Sequence, residues 1–295
     1  MRRHFVHFLW GSLLAILGLV FVFFISVWNG WVGYMPDMDE LSNPIDKFAS
    51  QVYSSDQQLI GTWNADNNNR VAIDYNGLSP HLVHALVATE DERFYEHSGV
   101  DFIALGRAVV KRGVMGQASA GGGSTITQQL AKQLFSEKAH STVERLLQKP
   151  IEWIIAVKLE RYFTKEEILA MYFNYFDFLH NAVGIKRAAN VYFNKEPRKL
   201  TVTESAMLVG LCKNPSMFNP LRHPERCLQR RNVVLMQMVK SGYVTKDEYK
   251  ELSQRPLGLH FTRSKPVSGA GDYFQAFLRQ YMMAKKPERE NYQSW

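Results

Sequence analysis

Three hydrophobic regimes follow one another along the chain. Residues 5–28 contain no Asp, Glu, Lys or Arg, and His7 is their only readily titratable side chain. As a helix this run is roughly 36 Å long, enough for a hydrocarbon layer of roughly 30 Å. Between residues 45 and 75 lie short alternating stretches, Gln51-Val52-Tyr53 and Arg70-Val71-Ala72-Ile73, around the polar turn Asp66-Asn67-Asn68-Asn69. Alternation beside turn residues predicts a small β-rich stalk or hairpin. From residue 79 the period becomes helical. Ser79-Pro80 predicts an N-cap followed by proline at the first helical position. Thr164-Lys165-Glu166-Glu167, Thr201-Val202-Thr203-Glu204 and Thr245-Lys246-Asp247-Glu248 each fit the capping box and precede apolar-periodic runs. Together they predict a mostly α domain ending near residue 252. Beyond it Pro256, Pro266 and Gly269-Ala270-Gly271 predict a linker.

Charge gives the apolar run a direction. Arg2 and Arg3 precede it, while Asp37, Asp39, Glu40 and Asp46 follow it before any Lys or Arg. The positive-inside rule then puts residues 1–4 in the cytoplasm and everything after Trp28 outside. A cleaved signal peptide is the alternative, but its apolar region is shorter and ends in small residues. Here the exit reads Val27-Trp28-Asn29-Gly30-Trp31, with tryptophans at interfacial depth. The expected organisation is a cytoplasmic tip at 1–4, a transmembrane signal-anchor at 5–28, a stalk at 29–75, a domain at 76–252 and a linker at 253–295.

The net charge of +7 suits an anionic partner: nucleic acid, lipid head groups or a phosphate-bearing substrate. Nucleic acid falls away once the domain is placed outside the cytoplasm. Cys212 and Cys227 form neither a metal pattern nor a disulfide framework and are expected to be unpaired, buried thiols.

Three constellations carry candidate chemistry. Thr89-Glu90-Asp91-Glu92-Arg93-Phe94 sets three consecutive acids at the end of an apolar helix, where acids are unfavourable. It is either a solvated acidic patch or a site for proton transfer. Gly121-Gly122-Gly123-Ser124-Thr125, followed by Gln128, Gln129 and Lys132, is either a flexible loop capped by Ser124 or an anion cradle. In the second reading a helix N-terminus offers free N–H groups and Lys132 adds a charge. No Gly-Lys-Ser/Thr follows, so it is not a P-loop. Finally, Lys149-Pro150-Ile151-Glu152-Trp153 places an acid after a proline near an expected helix start. Glu152 is either a charge–dipole contact or a carboxylate desolvated by its apolar neighbours and suited to proton work.

In this order the segments resemble the glycosyltransferase domain of class A penicillin-binding proteins, a family that includes monofunctional peptidoglycan glycosyltransferases. The resemblance covers about residues 79–252. It continues through Tyr172 and Asn174, Gly184-Ile185, Ala188-Ala189, Tyr192-Phe193, Glu204-Ser205-Ala206, Pro215 and Asn219-Pro220. It implies a mainly α, lysozyme-like domain with a small membrane-facing subdomain, after one transmembrane helix and a short β-rich stalk. It also implies an inverting reaction at the bacterial inner membrane, in which a lipid-diphosphate-linked glycan passes to the 4-hydroxyl of lipid II. Glu90 then matches the base and Glu152 the second acid. Asp91, Phe94, Gly122, Ser124, Thr125, Gln128, Gln129, Lys132 and Lys149 match the substrate-binding positions. Asp91 and Glu92 would raise the pKa of Glu90. No cofactor is obligatory, and a divalent cation (Mg or Mn) at Glu152 is compatible with the family. Implied partners are lipid II, the lipid-linked nascent glycan and proteins of a cell-wall synthesis complex.

The chain departs from the family pattern in places. Gln148 stands where a basic residue is usual, with Arg145 as its substitute; Pro150 interrupts the block; and Phe178-Leu179-His180-Asn181-Ala182-Val183 lacks the usual glycine. Neither Ser-x-x-Lys nor Lys-Thr-Gly occurs in the 295 residues, so transpeptidase activity is not expected of them. A lytic transglycosylase and a non-enzymatic membrane scaffold are the rival readings. His97 and Glu204 are expected to be structural, and Arg226, Arg230 and Arg231 to form a solvated face.

Overall fold

A computed structural model describes residues 2–36, 41, 50–53, 56, 59–63, 71–110, 123–135, 142–262, 277, 280 and 281. It is mainly helical. Helix α1 (Arg2–Trp28) is long and apolar enough, by length and composition, to cross a membrane. Most of its apolar side chains are exposed, as expected for a helix meant for an apolar solvent, while Val27 near its end is buried.

Strands β1 (Ser50–Tyr53) and β2 (Leu59–Trp63) pair antiparallel, with Ser50 opposite Trp63 and an irregularity at Val52/Tyr53. The first strand lies where alternation put it, but the second does not. Residues 71–73 belong to no strand. The Asn174 amide donates to the Ile73 carbonyl at 2.8 Å, and its oxygen accepts the Ile73 N–H at 3.2 Å. That one side chain takes both backbone groups a neighbouring strand would have used. The polar turn at 66–69 lies outside the described residues.

The domain is built on α2 (Pro80–Glu90), α3 (Phe102–Val109), α4 (Ile126–Phe135), α5 (Thr142–Tyr162), α6 (Lys165–Tyr175), α7 (Ile185–Phe193), α8 (Val202–Lys213), α9 (Pro224–Lys240) and α10 (Lys246–Gln254). Helices α2, α8 and α9 pack on one another, and α4 packs between α5 and α6. Residues 204–212 of α8 are buried without exception, so α8 is the central helix. Tyr172, Phe173 and Tyr175 are core side chains. Both cysteines are free and buried.

All three expected capping boxes are formed, at Thr164–Glu167, Thr201–Glu204 and Thr245–Glu248. Ser79 stands at the N-cap of α2 ahead of Pro80, yet its hydroxyl makes no cap. It donates instead to the Leu200 carbonyl at 2.9 Å, tying α2 to the turn before α8. The glycine-free loop passes through three successive left-handed residues, Leu179, His180 and Asn181. Such strain persists only where local bonds enforce it. Here Leu179 N–H donates to Asp177 Oδ1 and Ala182 N–H to the Leu179 carbonyl, both at 2.8 Å.

The chain does not leave the domain at residue 252. His260 N–H donates to the Tyr192 carbonyl and Thr262 N–H to that of Val191, each at 2.9 Å. Phe261 rests against His180 and Tyr192.

Candidate active site

The three consecutive acids diverge. Glu90 closes α2, and Asp91 leaves the helix with φ −158° and ψ 75°. Glu90 Oε2 accepts from Gln129 Nε2 at 3.0 Å, and its Oε1 lies 3.4 Å from Arg230 Nη2. Asp91 turns the other way: both of its oxygens lie 3.0 Å from His97 Nε2, and Oδ2 accepts the Ile126 N–H at 3.0 Å. Glu92 is exposed. The charged side chain in contact with Glu90 is therefore the Arg230 guanidinium and not a neighbouring acid.

Asp91 also changes the reading of the glycine-rich segment. An anion cradle requires free N–H groups at the start of α4, and these are partly spent. Asp91 takes the N–H of Ile126, and the Thr125 hydroxyl accepts that of Gln128 at 3.2 Å. The positive helix end is thus answered by a carboxylate of the chain itself. Thr125 donates in turn to the Gly99 carbonyl at 2.6 Å, and Gln128 Nε2 approaches the same carbonyl at 3.4 Å. Gly99 has φ +88°, and a Cβ there would sit 2.7 Å from the Ala156 carbonyl carbon. The sharp turn and the close approach to α5 both require glycine.

Several expected ligand contacts therefore lie behind the surface. Phe94 is completely buried under the Lys165 ammonium, 4.3 Å from the ring centre. Asp91, Thr125 and Gln128 are buried in hydrogen bonds that hold the start of α4. Gly122 lies outside the described residues. Arg145 lies in α5, but its side chain is outside what the structure describes. Lys132 is exposed one turn beyond Gln129 on the same face of α4.

The second acid is not in a first helical turn. Helix α5 begins at Thr142, so Pro150 lies inside it and Glu152 well along it. This removes the charge–dipole explanation and leaves a desolvated carboxylate, 2% exposed. Lys149 Nζ donates to Glu152 Oε2 at 2.7 Å and to Ser124 Oγ at 3.3 Å. Lys149 is itself half-exposed, so it presents charge to solvent from a buried anchor. Further along α5, Glu160 accepts from the Thr127 hydroxyl and, at 2.7 Å, from Lys165. Lys165 also donates to the His97 carbonyl at 2.7 Å, closing a brace under both acids.

Helix α1 docks beside this site. Phe24 stacks on Trp153, with ring centres 6.4 Å apart, and Trp28 receives Lys158 and Arg161 at 4.9 Å and 5.6 Å. Burial lowers the pKa of Lys158. Gly33 has φ +80°, and a Cβ there would fall 2.4 Å from Ile151 Cδ1, next to Glu152 in sequence.

Arg230 is the contact of Glu90 that sequence reasoning missed, and the expected solvated arginine face holds only in part: Arg226 is exposed, whereas Arg230 and Arg231 turn inward. Arg231 is fully buried, donating to the carbonyls of Leu252, Ser253 and Pro256 at the end of α10. A signal was present: on α9 the buried apolar residues are Cys227, Val234, Leu235 and Met238. Arg230 and Arg231 fall three and four residues after Cys227, on the same stripe.

Among the described residues no three His, Cys, Asp or Glu side chains gather as a metal site. Glu152 is paired with an ammonium that would repel a dication, so the residues do not fit a protein-held cation.

Comparison with known proteins supplies the family. A family model described as "Transglycosylase" matches residues 56–239, more than half the chain. The chain belongs to the transglycosylase family. Relatives include Penicillin-binding protein 1A of Aquifex aeolicus (strain VF5), 37% identical over 279 residues, covering 94% of this chain and 36% of the relative. Penicillin-binding protein 1A of Escherichia coli (strain K12) is 36% identical over 248 residues, covering 84% and 28%. Penicillin-binding protein 1F of Bacillus subtilis (strain 168) is 34% identical over 269 residues, covering 91% and 35%. The chain spans about a third of the length of these curated relatives. The model match contains Glu90, Gln129, Lys149, Glu152 and Arg230, so the two acids and their partners all lie inside the family region.

Proposed function

We propose that this transglycosylase chain polymerises peptidoglycan glycan strands from lipid II. The observation that carries this reading is the pair of acids served by one helix. Glu90 meets α4 through Gln129, and Glu152 meets its start through Lys149 and Ser124. An inverting transfer needs a base on the acceptor side and charge stabilisation on the leaving side, with space between for the attacking hydroxyl.

Glu90 accepts the proton of the acceptor 4-hydroxyl as its oxygen attacks the donor anomeric carbon. The bond from that carbon to the phosphate oxygen breaks, and the α-linked donor becomes a β-linked product. The negative charge passes to the lipid diphosphate. Lys149, with Ser124 beside it and Lys132 further along α4, meets that charge. Glu152 holds the Lys149 ammonium in place before the charge develops, which is where electrostatic preorganisation gains its effect.

A lipid-linked substrate requires a site at membrane level. Helix α1 is read as the anchor, with residues 1–4 in the cytoplasm and the catalytic domain outside. Phe24 stacks on Trp153, next to Glu152 in sequence, and this contact between α1 and α5 supports reading the Lys149–Glu152 pair as lying near head-group depth. Helix α3, with Phe102 and Ile103 exposed, is read as the membrane-facing subdomain of a lysozyme-like domain, and the β1–β2 hairpin as its stalk. The catalytic region runs from about residue 76 to 262, with the linker beginning after it. Cell-wall synthesis proteins are proposed partners.

The test is incubation of the detergent-solubilised chain with labelled lipid II and, separately, with preformed uncross-linked glycan. Consumption of lipid II into long strands supports the proposal. Shortening of preformed glycan with lipid II untouched would establish the lytic reading instead.

A further inference from the structure

Glu90 meets groups from four different helices. The groups facing it are the Gln129 amide from α4, the Tyr172 phenol from α6, the Cys212 thiol from α8 and Arg230 from α9. Its chain neighbours give no help, because Asp91 is bound to His97 and Ile126, and Glu92 is exposed. Burial pushes both Tyr172 and Cys212 upward, and the charge of Glu90 pushes them further. They therefore stay neutral, and Arg230 is the one cation among these groups.

Arg230 is held there by packing. Its side chain is 10% exposed, and Gly210 on α8 opens the space for it. A Cβ at position 210 would stand 3.2 Å from Arg230 Cγ, tighter than ordinary contact. The Phe218 ring lies 5.9 Å from the guanidinium. Burial lowers the arginine's pKa, and the Glu90 charge opposes this. Arg230 Nε is buried without a partner, so the bond to Glu90 is not one of several equivalent anchors.

We infer that Arg230 is a positioning residue which holds the Glu90 carboxylate directed toward the acceptor hydroxyl. The inference rests on the reading of Glu90 as the base. A cation within contact distance of a carboxylate favours its charged form over the protonated one. Only the ionised acid can accept a proton, so activity is lost from the acid side.

The test is the pH profile of lipid II polymerisation by wild type, Arg230→Met, Arg230→Gln, Arg230→Lys and Glu90→Gln, each checked for folding by thermal melting. Arg230→Met is expected to move the acid limb up by about one to two pH units. Its rate should recover at alkaline pH, with KM within about two-fold of wild type. Arg230→Gln keeps a buried donor without the charge and should move the limb alike, covering the case in which Met does not fold. Arg230→Lys should restore most of the wild-type profile. A loss by the same factor at every pH, or an unmoved acid limb, overturns the inference while leaving Glu90 as the base if Glu90→Gln is inactive throughout. Polymer made by Glu90→Gln overturns the base reading itself, and the inference with it.

Discussion

The Asp91 carboxylate accepts the backbone N–H of Ile126 at 3.0 Å, so an acid at the end of α2 caps α4, 35 residues later in the chain. One member of an apparent catalytic pair is thereby committed to structure. It joins the two helices whose side chains Glu90 and Gln129 meet one residue from the cap and one turn beyond it.

Asp91→Ala removes this cap and the His97 partner together. It leaves a buried N–H unpaired, and the expected loss of stability is about 2–4 kcal/mol. Chemical denaturation of the soluble-detergent form measures it. Activity should fall with the population of folded protein rather than through a shifted pH profile.

Gly99 is wedged against the α5 backbone while its carbonyl holds Thr125. Gly99→Ala adds a methyl where backbone cannot give way, in a left-handed conformation. A destabilisation of about 2 kcal/mol or more is expected. A melting temperature equal to that of wild type would contradict this packing.

Lys149→Ala leaves Glu152 buried and unpaired and withdraws the charge offered to the leaving group. Turnover should drop about 10²–10³-fold, the usual loss for a preorganised oxyanion contact. If the loss appeared in KM alone, Lys149 would contribute uniform binding rather than transition-state stabilisation.

Burial raises the Cys227 thiol from 9.0 to about 12. The unfolded chain ionises this group from about pH 9 upward while the folded chain keeps its proton. Stability should therefore be complete below pH 9 and decline between pH 9 and 12, by about 1.4 kcal/mol per unit from this group. Cys212, Tyr172 and Tyr192 shift in the same direction and steepen the decline. Melting curves from pH 8 to 10.5 measure it, and Cys227→Ala should flatten the slope.

What was legible in the sequence was local. The three capping boxes announce themselves by residue type at fixed spacing, and each is formed. The apolar run of α1 needs no partner to be recognised. What was not legible depended on distant partners. Residues 71–73 look like a strand, but Asn174, 101 residues away, takes the backbone bonds of Ile73. Pro150 suggests a helix start because proline usually marks one, whereas α5 continues through it. Nothing near Arg230 in sequence points to Glu90, 140 residues earlier. The apolar stripe of α9 showed only that Arg230 faces inward; a buried guanidinium needs acceptors, and which ones it finds depends on the fold.

The central claim is that Glu90 and Glu152 divide the labour of one polymerisation. The direct measurement is single-turnover conversion of labelled lipid II by wild type, Glu90→Gln and Glu152→Gln in detergent micelles. Wild type should make polymer, and Glu90→Gln should make none at any pH. Glu152→Gln should make it slowly, with the Lys149 ammonium no longer held by a charge. Polymer at the wild-type rate from Glu90→Gln would contradict the account.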